Sequence, residues 1–428
     1  MLLKKFFDQL DYHFLDTELK SLLYTAFTKY VAENTESSNH SNKNFKELNS
    51  LLNTISTLID NKVVVYNLSS SFYAFIYYAL NEETQIDQDE LSIILLLYSF
   101  DSLSYLLPSP LALTLEIKKP LNILLPINDI YLNLENGVLI IKKVDEYLFF
   151  KNNNLSLRKN TYIPSSAPQL PKIINIDARD IFIKNLVIPY YEKCTLQKDE
   201  EEVIDLKLRT LNALTLIEEI DRSLYIDILN TVEFFIPLVN PAEHASASFT
   251  LNHIPHIVFL SNPRSTNTLL ENIIHEFHHD KLNLAMQFHE FFDNKNLQYF
   301  SPWRDDPRPI NGLIHGIYVF LGIYNFYLNA LNNESINNAE HKSFIKFRLS
   351  DIYHELKLAF YQIQSNNTEL TEVGLEFFEQ LYLAFQTLPI MDFVLQIPNS
   401  ISEHLKKWSQ NNNYTISVPS EYREILDF

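Results

Sequence analysis

The sequence predicts a mainly α protein that carries a small antiparallel β-sheet, an α+β class. Only five glycines occur in 428 residues, which leaves few places for tight turns and favours long helices. Apolar residues recur at helical spacing through most of the chain. Between about 110 and 165 that texture gives way to short β-branched and aromatic runs. Hydrophobic residues make up 46% of the chain and charged ones 20%, a balance that suits a packed core rather than disorder.

Taken in order, residues 1–33 place Leu2, Phe6, Leu10, Phe14, Leu19, Leu22 and Leu23 on helical faces. Residues 34–49, rich in Asn, Ser and Lys, predict a solvated loop, and two further helices are expected near 45–61 and 87–106. Strands are expected in the runs that begin at Leu111, Ile130, Gly137 and Tyr147, with Asn136-Gly137 as a hairpin signal. Pro164 to Pro171 cannot be helix or central strand and predicts a linker. The spacing then predicts helix over 198–231, strands at 246–251 and 256–261, and helices over 266–293, 309–332, 340–364, 368–388 and 391–410. This divides the chain into a region 1–165, helical and then β, and a mainly helical region 166–428.

The formal net charge of −19 argues against a nucleic-acid partner, which needs a basic face to displace phosphate counterions, and against anionic lipid. Cys194 is the single cysteine, so no internal disulfide and no thiolate metal cluster can form. The N-terminus lacks the apolar core of a signal peptide, and no run reaches ~18 uninterrupted apolar residues. A cytoplasmic protein with no membrane span is expected. Without GxGxxG or GxxxxGK[ST], glycine-rich phosphate loops are excluded.

The motif that carries chemistry is His275-Glu276-Phe277-His278-His279. Histidines four apart share a helix face and can present ring nitrogens to one metal ion. Glu276 lies beside that face, where it can act as base toward bound water or orient a ligand. Thr266, Asn267 or Thr268 can cap the helix, and His278, pointing elsewhere, is expected as a polar surface residue. Leu282 and Ala285 stand where a metzincin has glycine and histidine, and Lys295 to Trp303 contains no glutamate of the gluzincin kind. Downstream, Arg304 and Arg308 lie between prolines, and guanidinium forks of this kind suit a carboxylate ligand; salt bridges to Asp305 or Asp306 are the structural alternative. His315 opens a helix whose Gly312, Gly316 and Gly322 permit close packing against the metal helix. It is a candidate third nitrogen ligand, or else a satisfied core histidine.

Residues 275–283 and the run from Pro302-Trp303-Arg304-Asp305-Asp306-Pro307-Arg308-Pro309 to His315-Gly316-Ile317-Tyr318 resemble the HExxH proteins of ribosomal peptide natural-product clusters. The resemblance covers about 245–330, with a weaker echo at His404 to Trp408. It implies an iron(II)- and 2-oxoglutarate-dependent peptide β-hydroxylase. His275 and His279 would then hold the metal with His315, or else with a water or a carboxylate of Asp305 or Asp306 in its place, and Arg308, or else Arg304, would bind the distal carboxylate of 2-oxoglutarate. Glu276 would act from behind the ligands. In the family pattern a Gln stands at the position of His315 and a His five residues later, where this chain has Phe320. The partner implied is a precursor peptide, its leader segment met by the N-terminal region, and the strand 246–251 could pair with an extended peptide. Two other readings stand beside this one: a zinc peptidase with Glu276 as general base, and a non-catalytic peptide-binding partner.

Overall fold

A computed structural model describes residues 12–37, 43–58, 88–153, 155–161, 169–177, 179–189, 195–242, 245–293, 297–333, 339–365, 369–411 and 416–426. In chain order these form helices α1 (Tyr12–Ser37), α2 (Lys43–Leu58) and α3 (Gln88–Leu103), then strands β1 (Leu111–Ile117), β2 (Leu121–Leu125), β3 (Ile130–Leu134), β4 (Gly137–Val144), β5 (Tyr147–Lys151), β6 (Ser156–Asn160) and β7 (Lys172–Ile173). Helices α4 (Glu200–Ile220) and α5 (Arg222–Thr231) follow. Strands β8 (Phe234–Leu238), β9 (Ser248–Leu251) and β10 (Ile254–Ser261) lead to α6 (Thr266–Met286). The remainder is helical: α7 (Ile310–Asn332), α8 (Ala339–Gln364), α9 (Glu372–Gln386), α10 (Asn399–Asn411) and α11 (Ser420–Leu426). The class is the expected one, mainly α with small sheets.

Contacts group the chain into two compact units. One comprises His13–Leu208 with Val232–Arg264, and the other holds Arg209–Thr231 with Ser265–Phe428. The motif helix α6 belongs to the second.

In the first unit, β1, β4, β5 and β6 form one antiparallel sheet and β2 pairs with β3. Alternation sets the faces: Ile130, Leu132 and Leu134 of β3 are buried while Tyr131 and Asn133 are exposed. Helix α3 is buried all round, Leu91 through Ser104 without a break, as in a helix at the centre of a core. A third sheet runs β7-β8-β10-β9, with parallel pairs β7/β8 and β8/β10 and antiparallel β10/β9. Strands β8 and β10 are buried at every residue, the pattern of parallel strands covered on both faces. Pro237 makes β8 illegible in the sequence, because proline argues against a central strand. Strand β9, the candidate peptide partner, is an edge strand of four residues.

One expectation fails here. Asn136-Gly137 does not close a hairpin, because β3 pairs with β2 and β4 with β1. A type I′ turn needs positive φ at both central residues, and of the two only Gly137 has it, at 134°. The tight hairpin joins β4 to β5, with Asp145 at φ 53°. The expected linker lies outside the described residues up to Pro168, as do residues 1–11 and Cys194.

Two buried carboxylates hold the β2/β3 hairpin. Asp101 on α3 accepts from Ile127 N at 2.9 Å, Asn128 N at 3.0 Å and Asn128 Nδ2 at 2.8 Å. Asp180 accepts from Leu124 N at 2.7 Å and Phe182 N at 2.8 Å. Burial pushes Asp101 up to about 6 and Asp180 up to about 7, against hydrogen bonds that favour the anion. A carboxyl raised above its unfolded value stabilises the fold in its protonated form. The contribution is complete below about pH 4 and is lost as pH rises through about 7. Urea denaturation is expected to show wild type losing roughly 2–3 kcal/mol relative to Asp180→Asn between about pH 5 and pH 8. A difference independent of pH would refute this.

Candidate functional site

Helix α6 starts at Ser265, whose Oγ accepts from Thr268 N at 3.3 Å. The cap is thus one residue earlier than Thr266, which is already helical. Leu269, Leu270, Ile273, Ile274 and Phe277 supply the buried apolar face. The helix turns so that His275 and His279 meet, with their Nε2 atoms 3.1 Å apart. Two nitrogens each about 2.1 Å from one ion lie roughly 3.0–3.4 Å apart, so this pair fits two ligands of a single metal. Burial holds His275 down at about 4, and holds His279 well below its ordinary value. Both rings are therefore neutral near pH 7, with lone pairs free to ligate.

His315, on α7, reaches the other edge of His279: the two Nδ1 atoms are 3.2 Å apart, and His315 Nε2 lies 3.1 Å from Met286 Sδ. A thioether sulfur only accepts, so with hydrogen on His315 Nε2 the His315 Nδ1 is the acceptor for His279 Nδ1–H. In that tautomer His279 Nε2 is the ring's bare nitrogen on the side of His275. His315 is thus placed to orient His279, the usual task of a residue behind a metal ligand, and its nitrogens do not join the Nε2 pair. Among the described residues no group of three His, Cys, Asp or Glu side chains is arranged to hold an ion. Phe320, one turn and a half further along α7, packs edge-on against His275 with ring centroids 5.4 Å apart. An apolar ring therefore stands where the family pattern carries its further histidine.

Glu276 is 3% exposed and lies beside the histidine face. The two arginines differ. Arg304 is exposed, yet its charge bears on both His275 and His279. Arg308 is ion-paired to Asp306 at 3.1 Å, and its backbone bridges Tyr299. Asp305 is tied to Lys407 at 2.7 Å.

His278 is not the surface residue its position suggested. Both ring nitrogens are buried with no hydrogen-bond partner among the described residues, and burial drives the ring down to about 3. It packs edge-on to Tyr318 and lies over Gly322, where a Cβ would come within 2.1 Å of Nε2. Trp303 uses Gly316 in the same way, with a ring carbon 2.3 Å from the place of a Cβ, and stacks on Phe320 at 5.1 Å.

Several site residues escape the sequence reading. Glu271 precedes His275 by one turn on the same face and binds Arg348 Nη2 at 2.6 Å and Tyr327 OH at 2.8 Å. Glu355 accepts from Trp303 Nε1 at 3.1 Å. The signals were available: Glu271, His275 and His279 are spaced by four, and Arg348, Asp351 and Glu355 lie three and then four apart, on one face of their helix. A cavity of about 580 Å³ adjoins, lined by Trp303, Arg304, Phe320, Glu355, Ser400 and His404 among others. The weak echo at 404–408 falls here too, since His404 Nε2 donates to Ser301 O at 3.0 Å and Trp408 packs on Phe300 in a small core.

Helix α7 has the length and mean hydropathy of a membrane span, but 67% of that window is buried within the protein. No protein-family model matches the chain, and comparison with curated proteins finds no match. Gly322→Ala is expected to destabilise the fold by roughly 1–3 kcal/mol through overpacking against His278, read by urea denaturation. An unchanged midpoint would mean that the ring moves freely.

Proposed function

We propose that the chain is an iron(II)- and 2-oxoglutarate-dependent hydroxylase acting on a side-chain β-carbon of a ribosomally made precursor peptide. The observation that carries this reading is the neutral Nε2 pair of His275 and His279 at 3.1 Å, packed on Phe320, which lines a cavity to which Arg304 contributes a guanidinium. Iron(II) with 2-oxoglutarate, when bound, would supply the oxidising power that a C–H bond requires. The protein's part is to hold, orient and shield. His275 and His279 would hold the ion through Nε2, and ligands from outside the chain would complete its coordination. His315 holds His279 in the tautomer that keeps Nε2 bare.

Arg304 is the better placed of the two arginines for the distal carboxylate. It has no ion-pair partner among the described residues, whereas Arg308 is engaged by Asp306. Glu276, buried next to His275, acts from behind the ligands. The stacked Trp303 and Phe320 rings form a wall that limits water near the histidine pair.

Protein reconstituted anaerobically with iron(II) and 2-oxoglutarate is expected to develop a visible charge-transfer band. The band should vanish in His279→Ala and weaken strongly in Arg304→Ala. Tight stoichiometric zinc with no 2-oxoglutarate binding would overturn the proposal in favour of a zinc peptidase using Glu276 as base. Peptide binding indifferent to chelation would favour a non-catalytic partner.

The role given to His315 has its own test, in cobalt(II) titration followed by absorbance. His315→Ala should weaken binding by about 10–100-fold, as expected for a residue behind a ligand, while His279→Ala removes stoichiometric binding. Equal loss in both variants would make His315 a ligand.

A further inference from the structure

The cavity beside the histidine pair is uneven in charge. On α8, Arg348 faces Glu271 at 2.6 Å and Asp351 at 3.6 Å, and its charge also reaches Glu355. One guanidinium thus answers three carboxyls. Glu271 holds it at two points, through Nη2 and through Nε at 3.1 Å. Asp351 has Ser400 Oγ as a donor at 2.6 Å. Glu355 is left with the least: among the described residues only its Oε2 accepts a donor, the Trp303 indole, and the side chain lines the cavity. The cavity wall next to it is apolar and flat, formed by Trp303 stacked on Phe320 with the planes 7° apart.

We propose that this cavity receives a primary ammonium on an aliphatic stem, such as a lysine side chain of the substrate peptide, with Glu355 as its counter-ion. The assignment rests on the reading of the cavity as the substrate's side of the histidine pair. An ammonium fits better than a guanidinium. With Oε2 occupied by the indole N–H, the two-point grip that a guanidinium uses is closed, whereas a compact point charge needs a single free oxygen. The methylenes of the stem lie along the aromatic wall while the charge stays at the carboxylate. Arg304, at the same cavity, remains for an anionic group and gives the site a cation side and an anion side. Burial pushes Glu355 up to about 7, and an ammonium beside it would favour its charged form.

The test needs neither metal nor 2-oxoglutarate, so its failure is distinct from failure of the hydroxylase reading. The chain has two tryptophans, and Trp408 lies in a core at 2% exposure, so Trp408→Phe in the full chain isolates the emission of Trp303. The probes are Nα-acetyl-lysine N-methylamide, its norleucine counterpart, and the Nε-acetylated lysine. The lysine probe should give a saturable change in the millimolar range, about the affinity of a fragment-sized ligand. The two neutral probes should bind roughly tenfold or more weaker, the worth of a charged hydrogen bond. Glu355→Gln, its fold checked by circular dichroism, should lose that discrimination. Equal response to all three probes, no response to any, or discrimination retained in Glu355→Gln would each overturn the proposal. The comparison among probes on the parent protein stands even where Glu355→Gln fails to fold.

Discussion

The carboxylate of Glu271 is the node on which the site depends. It lies one turn before His275 on α6 and receives Arg348 of α8 at two points and the Tyr327 hydroxyl of α7. Three helices are thereby referred to one group. Taking two charges out of water costs several kcal/mol per ion, and only close two-point geometry with further donors offsets it. That demand fixes the rotation of α6 about its own axis. Residues at i+4 and i+8 from Glu271 are His275 and His279, so locking Glu271 toward α7 and α8 turns both histidines toward Phe320 and His315 of α7.

Close approach of α6 and α7 follows from the same registration, and it is bounded by side-chain volume. Gly322 leaves the space that the His278 ring fills, as the glycines of α7 led one to expect for the motif helix. Gly316 instead receives Trp303 from the preceding loop, and Gly312 meets Arg308 at 3.4 Å. Only one of the three glycines therefore serves contact with α6. The arrangement leaves both nitrogens of His278 without partners among the described residues, at a cost of order 1–3 kcal/mol per unsatisfied group. Helix packing outweighs it, and the ring stays neutral because an imidazolium there could not be solvated.

What the sequence disclosed follows from how local each feature is. The motif helix, its histidine pair and the helical second half are written in spacings of three and four, which the chain carries without reference to anything distant. The alternation of β3 is equally local. The features missed depend on partners far along the chain. Nothing near Asn136-Gly137 reveals that β4 pairs back to β1, and nothing near Pro237 reveals that its strand lies between β7 and β10. His278 looked like a surface residue because its burial is decided by a glycine 44 positions away. The order His275, His279, His315, Met286 was half legible. The three histidines could be named from spacing and resemblance, but neither Met286 nor which nitrogen faces which could, and that detail separates an orienting residue from a ligand.

The same geometry explains why charge and metal chemistry can share so small a volume. Burial keeps these imidazoles neutral, and the same poorly solvated setting magnifies any charge left in it. Arg348 would repel a bound cation were it not engaged by Glu271 and Asp351. Once it is engaged, Arg304 is the cation bearing on the histidine pair that has no ion partner among the described residues, and Glu355 is the buried carboxyl with a free oxygen at the cavity. No ion pair joins the two among the described residues, so neither cancels the other. A donor pair for a metal, a fixed cation and a fixed anion thereby stand around one aromatic wall. Trp303 does most of this work: its ring covers Phe320 and Gly316, and its single N–H takes one oxygen of Glu355 while leaving the other for a ligand.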